Sequence, residues 1–373
     1  MRLGIDVSTM KEVRSAGARY FARGIEVDPI SYIHDELGVT TMRLRLWLDP
    51  YDEEGHPYQG GTVDYPTFLE LAKEGVAKGY RIVLDFHYSD FWTDPSKQTM
   101  PKAWRGLSLE EVASNVYEYT KDTLRKTIAA GVPLYGVQIG NEITNGMLWP
   151  LGKLEAVEGE SVRRGYPNLF LLLSKASKAV REVDEAIRIV VHLERSFDAQ
   201  IYREFFDEMT SRGLDFDVIG MSYYPYWHGT FDQLFANVDA LKKRFGKAIW
   251  IVETAYAFTM DAVKVGDESW SPWVEETEVT GLHYEPPFPF TQEGQAGFLR
   301  ELIRRGEEHG VEEIHYWEPL WLPLPGLNWT SLKGQDYIDQ HEKPPHNEWM
   351  NQCLFDYEGN ATKGLYAFSV KRN

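Results

Sequence analysis

Eight short runs of β-branched or apolar residues, each followed by a longer amphipathic stretch, restrict the fold of this chain more than any other feature. The runs are Leu3–Val7, Thr40–Leu48, Arg81–Tyr88, Leu134–Gly140, Ile187–Leu193, Asp217–Tyr224, Ala248–Thr254 and Glu313–Pro319. Helical periodicity fills the gaps, as in "TFLELAKEGVAKG", "LEEVASNVYEYTKDTLRKTIAAG" and "NLFLLLSKASKAVREV". Gly79, Gly131 and Gly310 fall just before the next strand, where a helix C-terminus needs a left-handed residue. Strand–helix alternation implies parallel strands joined by right-handed crossovers, and eight such units predict a (β/α)8 TIM barrel. An open doubly wound sheet would carry a glycine-rich phosphate turn after its first strand. "DVSTMKEV" has none.

At 373 residues and 43% hydrophobic, the chain can bury a large core, and a single barrel accounts for its whole length. A net charge of −18 argues against nucleic acid or an anionic membrane surface as partner. The lone Cys353 excludes an intramolecular disulfide. No apolar run reaches membrane-spanning length, and "MRLGIDVS" leads straight into a strand with no signal peptide. Two stretches lack strong periodicity. Residues 255–291 read as one long loop after strand seven, and residues 320–373 as loops and a helix closing the barrel.

In a barrel of this kind, chemistry gathers at the carboxyl ends of the strands. Those ends supply Asp6, Arg45, His87, Asn141, Glu142, Glu194, Tyr223, Glu253, Trp317 and Glu318. Strands four and seven stand on opposite sides of the mouth, so Glu142 and Glu253 can face each other. Two opposed carboxylates are what glycosidic cleavage requires, one as acid and one as nucleophile or base. Asn141 is then placed to meet a sugar hydroxyl, while Tyr223 and Arg45 are expected to hold Glu253 in its charged form. A structural role for the glutamates, tied to Arg43 and Arg45, is the plainer alternative. His87 and His192 lack the HxH or HExxH spacing of a metal site, and Asp85 with His87 reads as a structural pair. Trp92, Tyr224, Trp227, Trp317 and Trp321 fall in top loops, where flat rings stack on sugar faces or simply pack.

The segments "RLRLWLDPYDEEGHPYQGG", "DFHYSDFWTDPSKQTMPKAW", "GVQIGNEITNGMLWP", "SYYPYWHGT" and "IVETAY" closely resemble glycoside hydrolase family 53, and the similarity runs almost end to end. The resemblance implies an endo-β-1,4-galactanase that cuts galactan or arabinogalactan with retention. By motif position it makes Glu142 the acid/base and Glu253 the nucleophile, with Arg45, His87, Asn141 and Tyr223 at the glycosidic site. It implies no cofactor. The structural calcium of some bacterial members has no compact ligand run here, only the scattered Asp261, Asp267 and Glu268. A polymeric substrate implies an extracellular enzyme. A barrel glycanase for another β-linked polymer and a catalytically inactive sugar-binding barrel are the alternatives.

Overall fold

The computed structural model describes residues 1–272, 288–341 and 344–369. Eight parallel strands close into a barrel: β1 (Arg2–Asp6), β2 (Thr41–Leu46), β3 (Arg81–Phe86), β4 (Leu134–Ile139), β5 (Arg188–Leu193), β6 (Val218–Tyr223), β7 (Ala248–Thr254) and β8 (Glu313–Trp317). β1 pairs with β8, Arg2 opposite Glu313, so the ring has no open edge. Among the described residues, seven helices of nine or more residues cover it: α1 (Pro29–Leu37), α2 (Tyr65–Ala77), α3 (Leu109–Ala129), α4 (Tyr166–Val183), α5 (Ala199–Ser211), α6 (Phe231–Phe245) and α7 (Gln292–Glu308). Their starts are chemically marked. Asp28 and Asp64 cap α1 and α2, and capping boxes open α3 (Ser108, Glu111) and α6 (Thr230, Gln233). Gly79, Gly131 and Gly310 all take positive φ at the helix ends, as the sequence predicts.

Alternation along each strand divides two environments. Met42, Leu44 and Leu46 of β2 join the large core under the helices, while Arg43 and Arg45 face the barrel axis. Val83, Val190, Val218, Trp250 and Val252 form a small apolar plug inside the barrel. Below it, Glu313 binds Arg2 (2.7 Å) and His315 (2.9 Å). Above the plug the interior becomes polar, and there the candidate site begins.

One departure from alternation has a large effect. Along β6 and β7, Met221 pairs with Ile251 but Ser222 pairs with Glu253, so β7 carries an extra residue. This bulge lets Val252 face the plug while Glu253, its neighbour, also turns inward.

The segment after β7 is not one structureless loop. Val263–Val265 and Glu268–Trp270 form an antiparallel hairpin, whose Val265 and Trp270 pack on Met350. Residues 273–287 of the expected loop lie outside the described residues. In the tail, Leu332–Ile338 and Lys363–Ala367 are helical, and Cys353, Leu354 and Phe355 enter the main core. Among the described residues, no helix is long and apolar enough to cross a membrane.

The turn beyond β4 leaves no room for a side chain at Gly146. Its φ is +86° and ψ −172°, a region open to glycine alone, and a Cβ would lie 1.9 Å from the Gly152 carbonyl oxygen. Gly146→Ala is expected to cost about 3 kcal/mol or more in thermal or denaturant unfolding. A loss below about 1 kcal/mol would show that the turn relaxes freely.

Candidate active site

A cavity of about 380 Å³ opens at the carboxyl ends of the strands, with Glu142, Glu253, Asn141 and His87 on its floor. Arg43 organises that floor. Its Nη1 donates to Asp6 (2.8 Å), and its Nη2 donates to Asp85 (2.8 Å) and Asn141 Oδ1 (3.0 Å) and lies 2.9 Å from Glu253 Oε1. Its Nε donates to Gln138 (3.2 Å). Asp6, Asp85 and Arg43 are fully buried, so the guanidinium is the fixed counter-charge for three carboxylates.

Glu253 is 6% exposed and accepts from Tyr224 Oη at 3.0 Å. Burial raises its carboxyl to about 7, against the opposing pull of Arg43 and the Tyr224 hydroxyl. Glu142 follows β4 in a left-handed conformation (φ +48°) and is partly exposed to the cavity. Burial, and then the charge of Glu253, raise it well above the usual carboxylate range. Among the described residues, no cation holds Glu142 as Arg43 holds Glu253. Of the pair, Glu253 therefore ionises first and Glu142 keeps its proton longer.

A neutral histidine supports Glu142. The Nδ1 of His192 receives Gln138 Nε2 (3.1 Å) and the Glu142 amide (3.3 Å), which places the ring proton on Nε2. Nε2 donates to Ser222 Oγ (2.8 Å), and Ser222 donates to Glu142 Oε1 (2.6 Å). Burial pushes His192 well below its usual range, so the relay carries no charge. Ser222 is the register partner of Glu253, so one serine ties both glutamates to the β6–β7 seam.

Two expected contacts are corrected. Tyr223 does not reach Glu253: it points outward, packs between Phe231 and Phe298, and donates to the Gly229 carbonyl (3.3 Å). Its neighbour Tyr224, just past the strand end, makes that contact instead. Arg45 does not pair with Glu253 either. It binds Glu318 (2.5 Å) and lies over the Trp92 ring at 4.3 Å, supporting the aromatic wall, while Arg43 takes the expected role. The Asp85–His87 pair is present (3.3 Å), with His87 Nδ1 facing Trp47 Nε1 (3.2 Å) and Thr93 (3.0 Å). Asn141 is pinned from both ends, by Arg43 and by the Thr93 carbonyl (2.9 Å).

Trp92, Tyr224, Trp227, Trp317 and Trp321 all line the cavity, though Trp321 is only 1% exposed. Trp329 and Trp349 join them and were not singled out in the sequence. Trp349 meets Trp317 edge-on at 4.6 Å and Tyr224 at 5.4 Å. A wider trough of about 1040 Å³ adjoins the cavity and shares Lys97, Trp329 and Gln340 with it. Asp261, Asp267 and Glu268 are exposed around the hairpin. Among the described residues, the ligand-type side chains that converge are instead Asp52, Glu54 and His56, at an exposed turn remote from the glutamates.

The Tyr correction gives a paired prediction. Tyr224→Phe removes a hydrogen bond to the charged form of Glu253, so the acid limb of kcat/KM is expected to move to higher pH and turnover to fall about tenfold. Tyr223→Phe should leave the pH profile in place. A shift in Tyr223→Phe alone would restore the rejected contact.

Two glutamates of unequal electrostatic support, lining one aromatic-walled cavity at the top of a (β/α)8 barrel, define a glycoside hydrolase. Residues 2–368 match the family model of glycosyl hydrolase family 53, and the chain belongs to that family. It is 31% identical to the endo-beta-1,4-galactanase of Bacillus subtilis (strain 168), over 98% of this chain and 84% of that one. It is 32% identical to the probable arabinogalactan endo-beta-1,4-galactanase A of Aspergillus terreus, over 87% of each chain. The solved family 53 catalytic domain of Ignisphaera aggregans superposes with a TM-score of 0.84 at 37% identity, covering 98% of this chain and 94% of that one. A fungal beta-1,4-galactanase structure gives 0.75 at 25% identity, covering 99% of this chain and 98% of that one.

Proposed function

We propose that this protein is an endo-acting β-1,4-galactanase working with retention of configuration, with Glu142 as general acid/base and Glu253 as nucleophile. The observation that carries the assignment is the asymmetry of the two carboxyls: Arg43 and Tyr224 hold Glu253, whereas Glu142 is held by a neutral relay. Glu253 attacks C1 of the sugar as the bond from C1 to the leaving oxygen breaks, and Glu142 gives that oxygen its proton. In the second step Glu142 takes a proton from water, the water oxygen bonds to C1, and Glu253 leaves. Asn141, oriented by Arg43, is positioned to bind a hydroxyl of the reacting sugar.

The galactan substrate rests on the activities named for the relatives. Endo action is supported by the open trough, which continues past Trp329 rather than closing as a pocket would. No step requires a metal or cofactor. A polymeric substrate supports an extracellular location for the enzyme.

Incubation with unbranched β-1,4-galactan, beside β-mannan and cellulose, tests the reading. Short galacto-oligosaccharides are expected early, from galactan alone, with β-configured products at first. Cleavage of another polymer would discard the substrate and keep the mechanism, and α-configured first products would discard retention.

A further inference from the structure

The left-handed turn at Glu142 is held from two sides. A residue other than glycine at φ +48° and ψ +50° persists where its surroundings fix the backbone. Toward β5 and β6, Ser222 holds the Glu142 carboxyl and His192 its amide. β4 also pairs with β3 along its other edge, and the loop after β3 grips the turn from there.

That loop is stapled to the turn by main-chain groups. Asn141 Nδ2 donates to the Thr93 carbonyl (2.9 Å), Asn145 Nδ2 to the Pro95 carbonyl (2.9 Å), and the Trp149 amide to the Gln98 carbonyl (2.8 Å). The loop is itself tightly closed. Asp94 and Lys97 exchange backbone hydrogen bonds (2.9 and 3.1 Å), and Asp94 Oδ1 accepts from the Ser96 amide (2.7 Å).

The side chain of Gln98 completes the set. Its Nε2 donates to the Asn141 carbonyl at 2.8 Å and lies 3.4 Å from that of Glu142 and 3.3 Å from that of Asp94. Three carbonyl oxygens around one end of the amide require its nitrogen there, since its oxygen would be repelled. The Asn141 and Glu142 carbonyls belong to the two peptide groups that flank Glu142. One amide therefore fixes both planes between which φ and ψ of the acid/base are set.

Gln98 is not placed to bind sugar. It is 1% exposed, its donor is committed to the backbone, and it lines the wider trough rather than the cavity of the two glutamates. It carries no charge with which to tune a carboxyl. What it governs is direction, and a general acid works only with its proton aimed at the leaving oxygen.

We infer that Gln98 is a positioning residue for the acid/base, its side chain fixing both peptide groups around Glu142 and so aiming the carboxyl at the leaving oxygen. The inference rests on the reading of Glu142 as general acid.

Gln98→Met keeps the length of the side chain and removes the donor, and Gln98→Asn draws the donor back by one methylene. Each is assayed on galactan, whose leaving sugar must be protonated, and on a dinitrophenyl β-1,4-galactobioside, whose leaving group departs as an anion. The ratio of kcat/KM for galactan over the aryl compound cancels any loss of folded enzyme. In both variants that ratio is expected to fall about tenfold, as misdirected proton transfer implies. An unchanged ratio, even with both rates lowered, means that Gln98 only supports the fold and overturns the inference. Wild type that cuts neither substrate fails the functional reading instead. In that case, and where wild type cuts galactan but not the aryl compound, a crystal structure of Gln98→Met decides. Glu142 kept in its left-handed turn against Ser222 overturns the inference, and a rotated or displaced Glu142 supports it.

Discussion

Glu253→Ala is expected to lose about 10⁵-fold in turnover of galactan while folding normally, because no other group can form the bond to C1. Glu142→Ala should lose about 10³- to 10⁴-fold on galactan but far less on an aryl galactoside, whose leaving group departs without protonation. Azide separates the roles by stereochemistry. In Glu142→Ala the α-linked glycosyl–enzyme still forms, and azide attacking it gives the β-glycosyl azide. In Glu253→Ala azide takes the place of the carboxylate and gives the α-glycosyl azide. The same configuration from both variants would refute the division of labour.

The pH dependence follows from the same pair. Catalysis needs Glu253 ionised and Glu142 protonated, so the acid limb of kcat/KM should lie near the value of about 7 to which burial raises Glu253. The alkaline limb should lie higher, where Glu142 loses its proton. Glu253→Gln removes the negative neighbour that is the second cause of the Glu142 shift, so Glu142 should titrate lower there. Spectroscopic titration of that carboxyl in the variant checks the sign. An unchanged value would mean burial alone keeps Glu142 protonated.

How far these groups could be read from the sequence varied with the kind of information involved. Strand repeats and helix-end glycines are local, and they gave all eight barrel strands with small errors at their ends. Glu142 and Glu253 followed from their strand positions. Tyr223 was readable by parity and misread: Val218 faces the axis, so Ser222 does and Tyr223 faces the helices. Arg43 and Arg45 share one face, and nothing local says which layer of the barrel reaches Glu253. The bulge that turns Glu253 inward is invisible to alternation, which would send it outward behind Val252. Trp349 arrives from a segment with no periodicity, and only the closed chain brings it to Trp317.

Arg43→Met should be the most damaging single change away from the reacting atoms. It leaves Asp6, Asp85 and Glu253 buried without their shared cation, and breaking a buried pair from one side typically costs about 3–5 kcal/mol. The loss should depend on pH in a definite direction. Without Arg43 the Glu253 carboxyl, which burial already raises and Arg43 pulls down, rises further above its unfolded value of roughly 4. A carboxyl shifted upward binds more protons folded than unfolded, so its neutral form supports the fold at low pH and that support fades as pH rises through the folded value. The variant should therefore lie closest to wild type near pH 4–5 and fall progressively behind toward neutral pH. Arg43→Lys keeps the charge but not the fork that serves Asp6, Asp85 and Asn141 together, and should recover only part of the difference. Denaturant unfolding of the three proteins across that range measures it. A gap that stays constant with pH would mean that the packing of the side chain, and not its charge, is what the barrel floor requires.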